Sequence, residues 1–546
     1  MEYYDLGTYG RDVTTGSDIA QTWFNRGLIW TYAYHHEEAV VCFQKAVEAD
    51  PDCAMAHWGI AYAIGPNYNK PWEAFEPEEK PGALSLALTS IERATGLKHK
   101  VTPTEQALIE ALASRYPADA SEDDFTPWND SYAAAMRSVR RTCPEDLDIA
   151  CLFAEALMNR TPWQLWDLQT GEPAAGADTL EAIEVLENAF EKLPGAWDHP
   201  GLLHMYIHLM EMSPQPEKAL RHGDRLSTMV PDAGHLLHMA THIDVLCGDY
   251  MNVVLRNHAA IVADRKYLAA AGPENFYSIY RCHNYHFKIY GAMFLGQPQP
   301  ALEAAEELIE TLPADTLRPM ADWFEAFIPM KQHVLIRFGM WEEIIAQDLP
   351  EDRELFCVTT AMMHYARAVA MANLGDIASA EKELIDFVAA VEAVPESRML
   401  FNNACHDILK VAEQMMLGEI AYKKGDAEAA FAHLRKSVSI DDSLPYDEPW
   451  GWMQPTRHAL GALLLDQERF EEAEAVYRAD LGLDATLSRA CQHPGNVWSL
   501  HGLHECLRHR GADDEAAMIE RQLAKAVARA EVPIKASCFC RQELAA

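Results

Sequence analysis

No run of about 18 apolar residues occurs anywhere in the 546-residue sequence, so no membrane-spanning helix is predicted. Basic residues are scarce. Lys+Arg number 45 against 83 Asp+Glu, and the formal net charge of −38 has the wrong sign for phosphate backbones or anionic lipid surfaces. Nucleic acid and membranes are therefore not expected as partners. The tyrosine-rich start, Met1 to Val13, has neither a basic n-region nor an apolar h-region, and no secretory signal is expected. The 12 cysteines are scattered and mostly sit in apolar helical patterns, such as Cys42 beside Phe43. That usage fits reduced buried thiols and a cytoplasmic location better than a disulfide framework. Strand-like alternation is nearly absent, and there is no phosphate-cradling glycine loop or dinucleotide fingerprint. The H-E-x-x-H order of a zincin is missing (the run HECLRH at His504 has one residue too many), as are the E-x-x-H pairs of a di-iron bundle and a serine nucleophile elbow.

The length implies several domains or one long repeat array. Trp23, Gly27, Trp30, Ala39, Phe43, Ala46 and Pro51 follow the spacing of a helix-turn-helix repeat of about 34 residues. Leu417-Gly418 with Ala430, Leu460-Gly461 with Ala473 and Tyr477, and more weakly Leu503 with Ala516, repeat that grammar. The small residues let two helices approach closely, while Gly425-Asp426 and Gly511-Ala512 end the first helix of their pairs.

These residues resemble the tetratricopeptide repeat, from Gly16 to about Ala528, with many degenerate units. The resemblance implies an all-α, right-handed α-solenoid with long inserted loops. Its expected division is N-terminal repeats over 16–140, histidine-rich repeats over 141–310, C-terminal repeats over 311–528, and a tail over 529–546. More narrowly, the runs HEEAVVCFQKAVEADPDCAMAHWGIAYA, AGHLLHMATH, HNYHF, YDEPWGWMQPTRHALGALL and IKASCFC are similar to a group of microbial proteins with this repeat, which supplies a fold and little chemistry. A lone helix pair cannot bury its apolar face, so neighbours stack and the first helix of each pair lines a concave surface. Four stretches rich in Pro, Gly and acids break the period: Gly65 to Gly82, Ala118 to Asn129, Asn159 to Asp178, and Asp441 to Pro455. They carry Tyr68, Trp163, Trp166, Trp450 and Trp452, and are expected to cap helix edges more than to cover a pocket.

Histidine is abundant, 23 in all, and is concentrated between His199 and His286. Aligned to the repeat, His204 and His208, then His235, His238 and His242, then His283 and His286, fall on three successive first helices at the second, fifth and ninth positions. At 100° per residue those positions point within about 60° of one another and away from the packing face. Desolvating so many imidazoles without partners costs roughly 1–3 kcal/mol each, so these seven are expected to be metal ligands. Glu211, three residues after His208, is the candidate general base or an eighth ligand. His222 and His258 fall on second helices, and His199 precedes Pro200 at a helix start. Glu155 and His333 are further inward-facing candidates. Cys538 and Cys540 are expected to be a disordered thiol pair, too close for an easy disulfide, with a soft-metal role as the alternative.

Imidazole donors suit copper, iron and zinc, whereas magnesium and calcium want oxygen. One or two ions are expected, copper first, with iron or zinc next. The sequence therefore predicts a metal-dependent enzyme, an oxidase or oxygenase acting on a small-molecule substrate, with zinc-dependent hydrolysis second. The competing expectation is a scaffold whose acidic groove takes a basic peptide or protein partner.

Overall fold

The computed structural model describes residues 3–117 and 124–541. The chain divides into two compact units, the first comprising Met1–Ile243 with Val262–Lys266 and the second Asp244–Ile261 with Tyr267–Ala546. In chain order the helices are α1 (Asp18–Tyr32), α2 (His36–Ala49), α3 (Ala54–Ala63), α4 (Lys80–Leu97), α5 (Pro103–Ala113), α6 (Thr126–Thr142), α7 (Leu147–Met158), α8 (Thr179–Lys192), α9 (Pro200–Glu211), α10 (Leu220–Leu226), α11 (Gly234–Leu246), α12 (Tyr250–Ala271), α13 (Ser278–Leu295) and α14 (Pro298–Glu310). They continue as α15 (Ala314–Leu317), α16 (Ala321–Phe324), α17 (Met330–Arg337), α18 (Trp341–Ala346), α19 (Cys357–Asn373), α20 (Ile377–Glu392), α21 (Cys405–Lys423), α22 (Ala427–Asp441), α23 (Thr456–Asp466), α24 (Phe470–Asp480), α25 (Val497–His509) and α26 (Asp513–Val527). The expected absence of strands needs one correction. Met399–Leu400 (β1) and Asn403–Ala404 (β2) form a minimal antiparallel ladder around Phe401, whose φ of 49° makes the tight turn.

Why antiparallel helices pair so closely is visible at the small residues. In the first unit the Phe43 ring of α2 lies between Gly27 of α1 and Gly59 of α3, where an added Cβ would come within 2.7 and 2.6 Å of it. In the second unit Tyr477 of α24 lies in the same way between Gly461 of α23 and Gly502 of α25, at 2.5 and 2.2 Å. A bulky ring filling the notch of two glycines fixes helix spacing by contact, and the interdigitated surface is what each pair buries. Helix ends follow local chemistry. Thr102 and Glu105 make a reciprocal capping box on α5, and Gly425 and Gly511, with φ of 86° and 70°, leave α21 and α25 in the left-handed conformation that only glycine enters without cost.

Both ends of the described chain are tied down. An extended segment before α1 crosses the first unit, with Tyr9 donating to Asp148 (2.8 Å), Arg11 paired to Asp146 and Asp148, and Thr14 bonded to Glu105. Asp148 also accepts from Tyr32 and lies 3.3 Å from His199 Nε2. Burial alone would push its carboxyl up, but His199, Arg11 and Tyr32 hold it below the usual carboxylate range. In the second unit the tail is ordered rather than loose. Ser537 is 1% exposed between Tyr477 and His458, Phe539 packs over Gly339, and Cys538 and Cys540 are joined as a disulfide, which corrects the expectation of a free thiol pair. Of the stretch expected as an acidic loop over 118–129, residues 118–123 lie outside the described residues, and α6 already begins at Thr126. Among the described residues no helix is long and apolar enough to cross a membrane.

Candidate metal centre

Helices α9 and α11 bring six of the eight sequence candidates together in the first unit. Their apolar faces pack into the unit and carry His204, His208 and Glu211 (α9) and His235, His238 and His242 (α11) into the interior, where none is more than 2% exposed. Three of these, His204, His208 and His235, place one ring nitrogen each within 4.8 Å of the others. Rings of His204 and His208 lie 4.7 Å apart and those of His204 and His235 5.0 Å.

Which nitrogen each ring presents is set by its surroundings. His204 Nδ1 lies 2.6 Å from the Tyr32 carbonyl oxygen, which can only accept, so the proton is on Nδ1 and the lone pair on Nε2. His208 Nδ1 donates to Glu211 Oε1 at 2.9 Å, with the same result. Both Nε2 atoms are fully buried, and neither has a hydrogen-bond partner among the described residues. The other oxygen of Glu211 lies 3.2 Å from His242 Nδ1, which favours a proton there and a lone pair on His242 Nε2. Thr241 gives its hydroxyl proton to the His238 carbonyl (2.7 Å), so its oxygen, 3.4 Å from His238 Nδ1, serves as acceptor and steers that ring to the same tautomer.

His238 Nε2 and His242 Nε2 are 2.9 Å apart, within hydrogen-bond reach of each other. Two lone pairs at that distance repel unless a proton or a cation lies beside both. The donor set fits a transition-metal ion through the buried Nε2 atoms of His204 and His208, which have no partner among the described residues, and the carboxylate beside His208 and His242 is the usual outer support of metal-bound imidazole. Charge agrees. Burial pushes His204 down to about 3, while burial and then neighbouring imidazoles hold His208, His235 and His242 well below the ordinary range, so the rings are neutral at pH 7, as ligation requires.

Aromatic side chains wall this cluster. Tyr34, just past α1, faces His204, His208 and His235 at 4.6, 5.8 and 5.9 Å between ring centroids. Tyr68 and Trp163, from the loops before α4 and α8, meet His208 at 5.1 and 5.8 Å and each other at 5.1 Å. Two of the four loops expected more to cap helix edges than to cover a pocket thus lay an aromatic ring against His208. Tyr34 is a residue that sequence reasoning missed, since it falls outside the repeat register.

The remaining candidates are placed as follows. His283 and His286 lie on α13 in the second unit, where Phe401 stands 4.7 and 6.3 Å from their rings. His333, on α17, is buried edge-on against Trp452 at 4.7 Å. Glu155, on α7, accepts a hydrogen bond from Tyr62 in the interior, and burial raises its carboxyl. His199 accepts from Leu202 N at 3.1 Å as the N-cap of α9, and His222 on α10 stacks on Trp197 at 4.6 Å.

A family model described as "Tetratricopeptide repeat" matches residues 20–53 and 414–443, which are the α1–α2 pair and most of the α21–α22 pair. No curated protein matches the sequence. Among solved structures, the chain is similar to the APC/C hetero-tetramer Cut9–Hcn1 (13% identity, 93% of this chain and 76% of that one, TM-score 0.31). It is also similar to the human IFIT1 dimer with m7Gppp-AAAA (12%, 94% and 92%, TM-score 0.32) and to the P58(IPK) TPR domain (11%, 93% and 98%, TM-score 0.22). The two matched segments are tetratricopeptide repeats, carried by the α1–α2 and α21–α22 helix pairs.

Proposed function

We propose that the first unit binds a first-row transition metal at His204, His208 and His235, with His238 and His242 as a further ligand pair, and that the protein is a metal-dependent enzyme acting on a small organic molecule. The observation behind this reading is the anchoring of His204 and His208 by the Tyr32 carbonyl and Glu211, which leaves two buried Nε2 atoms unpartnered among the described residues. A bound copper or iron ion would supply redox chemistry with oxygen, so an oxidase or oxygenase ranks first and zinc-type hydrolysis second. Glu211 supports two imidazoles, each of its oxygens facing a different ring, and is the candidate general base. Tyr34, Tyr68 and Trp163 exclude water and offer a flat apolar wall to the substrate.

A second reading, a scaffold for a peptide or protein partner, is favoured by the two matched repeat segments and needs no metal. Elemental analysis of protein purified without a His tag or chelator separates the two. One or two equivalents of a first-row metal are expected, falling in His208→Ala and His235→Ala variants that keep their helical circular dichroism. Absence of metal, together with no thermal shift on adding Zn(II), Cu(II) or Fe(II), would leave the scaffold.

A further inference from the structure

A buried carboxylate stands behind the histidines of the first unit without touching them. Asp148 lies in the first turn of α7 and is 5% exposed. Its oxygens accept from the hydroxyls of Tyr9 (2.8 Å) and Tyr32 (2.5 Å) and from the guanidinium of Arg11 (2.7 Å), and His199 Nε2 lies 3.3 Å away. The rings of Tyr9 and Tyr32 are 4.5 and 5.0 Å from that of His199, so the group forms one patch. Tyr9 and Arg11 belong to the extended segment before α1, so helix packing does not bring them here.

Two of these contacts lead on to His204. Tyr32 ends α1, and a helix leaves its last four carbonyls open. Those of Ile29, Trp30 and Thr31 are taken by the amides of Ala33, His35 and Tyr34. The fourth, that of Tyr32, lies 2.6 Å from His204 Nδ1. One residue therefore grips Asp148 with its side chain and His204 with its main chain. The second route runs through His199, whose Nδ1 accepts from Leu202 N at the start of α9 (3.1 Å). Its proton is then on Nε2, the atom that faces Asp148. Helix α9 carries His204 and His208, and a site must be held within about 0.5 Å of its productive geometry, so a shift of either route is felt at the imidazoles.

We propose that Asp148 is a positioning residue of the metal centre, and that the segment carrying Tyr9 and Arg11 sets through it how tightly the centre holds its ion. This rests on the metal reading above and adds to it a control outside the ligands. Without the carboxylate charge, Arg11 and the His199 Nε2–H lose their acceptor, and Tyr32 loses the anchor that holds its carbonyl beneath His204.

The test titrates the full-length protein with Co(II), whose visible absorption reports both affinity and ligand geometry. The unsubstituted protein should take up the ion, and Asp148→Asn should bind it about tenfold more weakly, with a changed band shape and unchanged helical circular dichroism. Leu84→Ala, which opens a cavity at a 0% exposed position of α4, is the control for plain loss of stability. It should lower the melting temperature and leave the Co(II) affinity and spectrum as they were. Should Asp148→Asn fold poorly, Tyr9→Phe and Arg11→Met, in the half-buried segment, should weaken uptake in the same direction. Uptake by the unsubstituted protein with no change in these variants, or an equal loss in Leu84→Ala, would overturn the positioning role and leave the metal reading standing. No uptake by the unsubstituted protein would overturn both.

Discussion

A carboxylate set between two imidazoles can accept a proton from each and has none to give, which is why Glu211 matters more for where it points than for its charge. Its two oxygens face Nδ1 of His208 at 2.9 Å and Nδ1 of His242 at 3.2 Å. Glu211→Gln should break this symmetry, because the amide nitrogen presents protons to one ring and favours a lone pair on its Nδ1. Metal affinity is expected to fall about 10- to 100-fold with helical content unchanged, and competition titration reads it. An unchanged affinity would show that Glu211 has no part in the site. A second device at this scale is backbone conformation. Tyr34, Trp163 and Phe401 hold φ of 53°, 59° and 49°, a left-handed region that costs a non-glycine residue about 1–2 kcal/mol, and each sets its ring against a histidine. The histidines themselves were legible in the sequence because helical register places them on one face. The Tyr32 carbonyl and the ring of Tyr34 were not, because no periodicity encodes a backbone oxygen or a turn conformation.

Between elements, the unit of stability is one ring in the notch of two glycines. Gly59→Ala would push a methyl carbon to 2.6 Å from the Phe43 ring, where α1, α2 and α3 leave no slack. We expect it to cost about 1–3 kcal/mol through overpacking. Phe43→Ala should cost about 3–5 kcal/mol through the cavity left behind. Chemical denaturation measures both, and a near-neutral Gly59→Ala would show that the pair can slide apart. This grammar was the most readable part of the chain, since small-large-small spacing recurs from Gly27 with Phe43 to Gly461 with Tyr477. What could not be read were the connections that depend on contacts distant in sequence. Glu531 N donates to the Gly296 carbonyl at 3.0 Å and Gln297 to the Arg529 carbonyl at 2.7 Å, which docks a tail whose composition alone reads as loose. Similarly, the Pro- and Gly-rich loops carrying Tyr68 and Trp163 look like edge caps until His208 is found beneath them.

Across the whole molecule the acidic charge lies mostly in solvent, while burial shifts titratable groups in two opposing directions. His35, His36, His204, His286 and His333 are each pushed down to about 3 by burial, so between pH 3 and about 6.5 the unfolded chain binds protons that the folded chain refuses. Their contribution is complete above about pH 6.5 and is lost as pH falls, at up to about 1.4 kcal/mol per pH unit for each fully shifted histidine. Glu419 and Asp441, raised to about 7 by burial, act oppositely: their contribution is present below about pH 4 and is lost as pH rises through 7. Asp148, held low by His199, Arg11 and Tyr32, and Asp480, held low by His458 and His493, add stability above about pH 4 that disappears in acid. More histidines are lowered than carboxylates raised, so the metal-free protein should be most stable near pH 6.5–7 and lose stability steadily toward pH 4.5. A metal that binds only the folded state raises the melting temperature, and protons compete for the same nitrogens, so its thermal shift should fade across that window. Melting curves at half-unit pH steps, with and without added metal, check both halves. A melting temperature that stays flat from pH 7 to 5 would mean that the imidazoles reach solvent and gain their protons in the folded state.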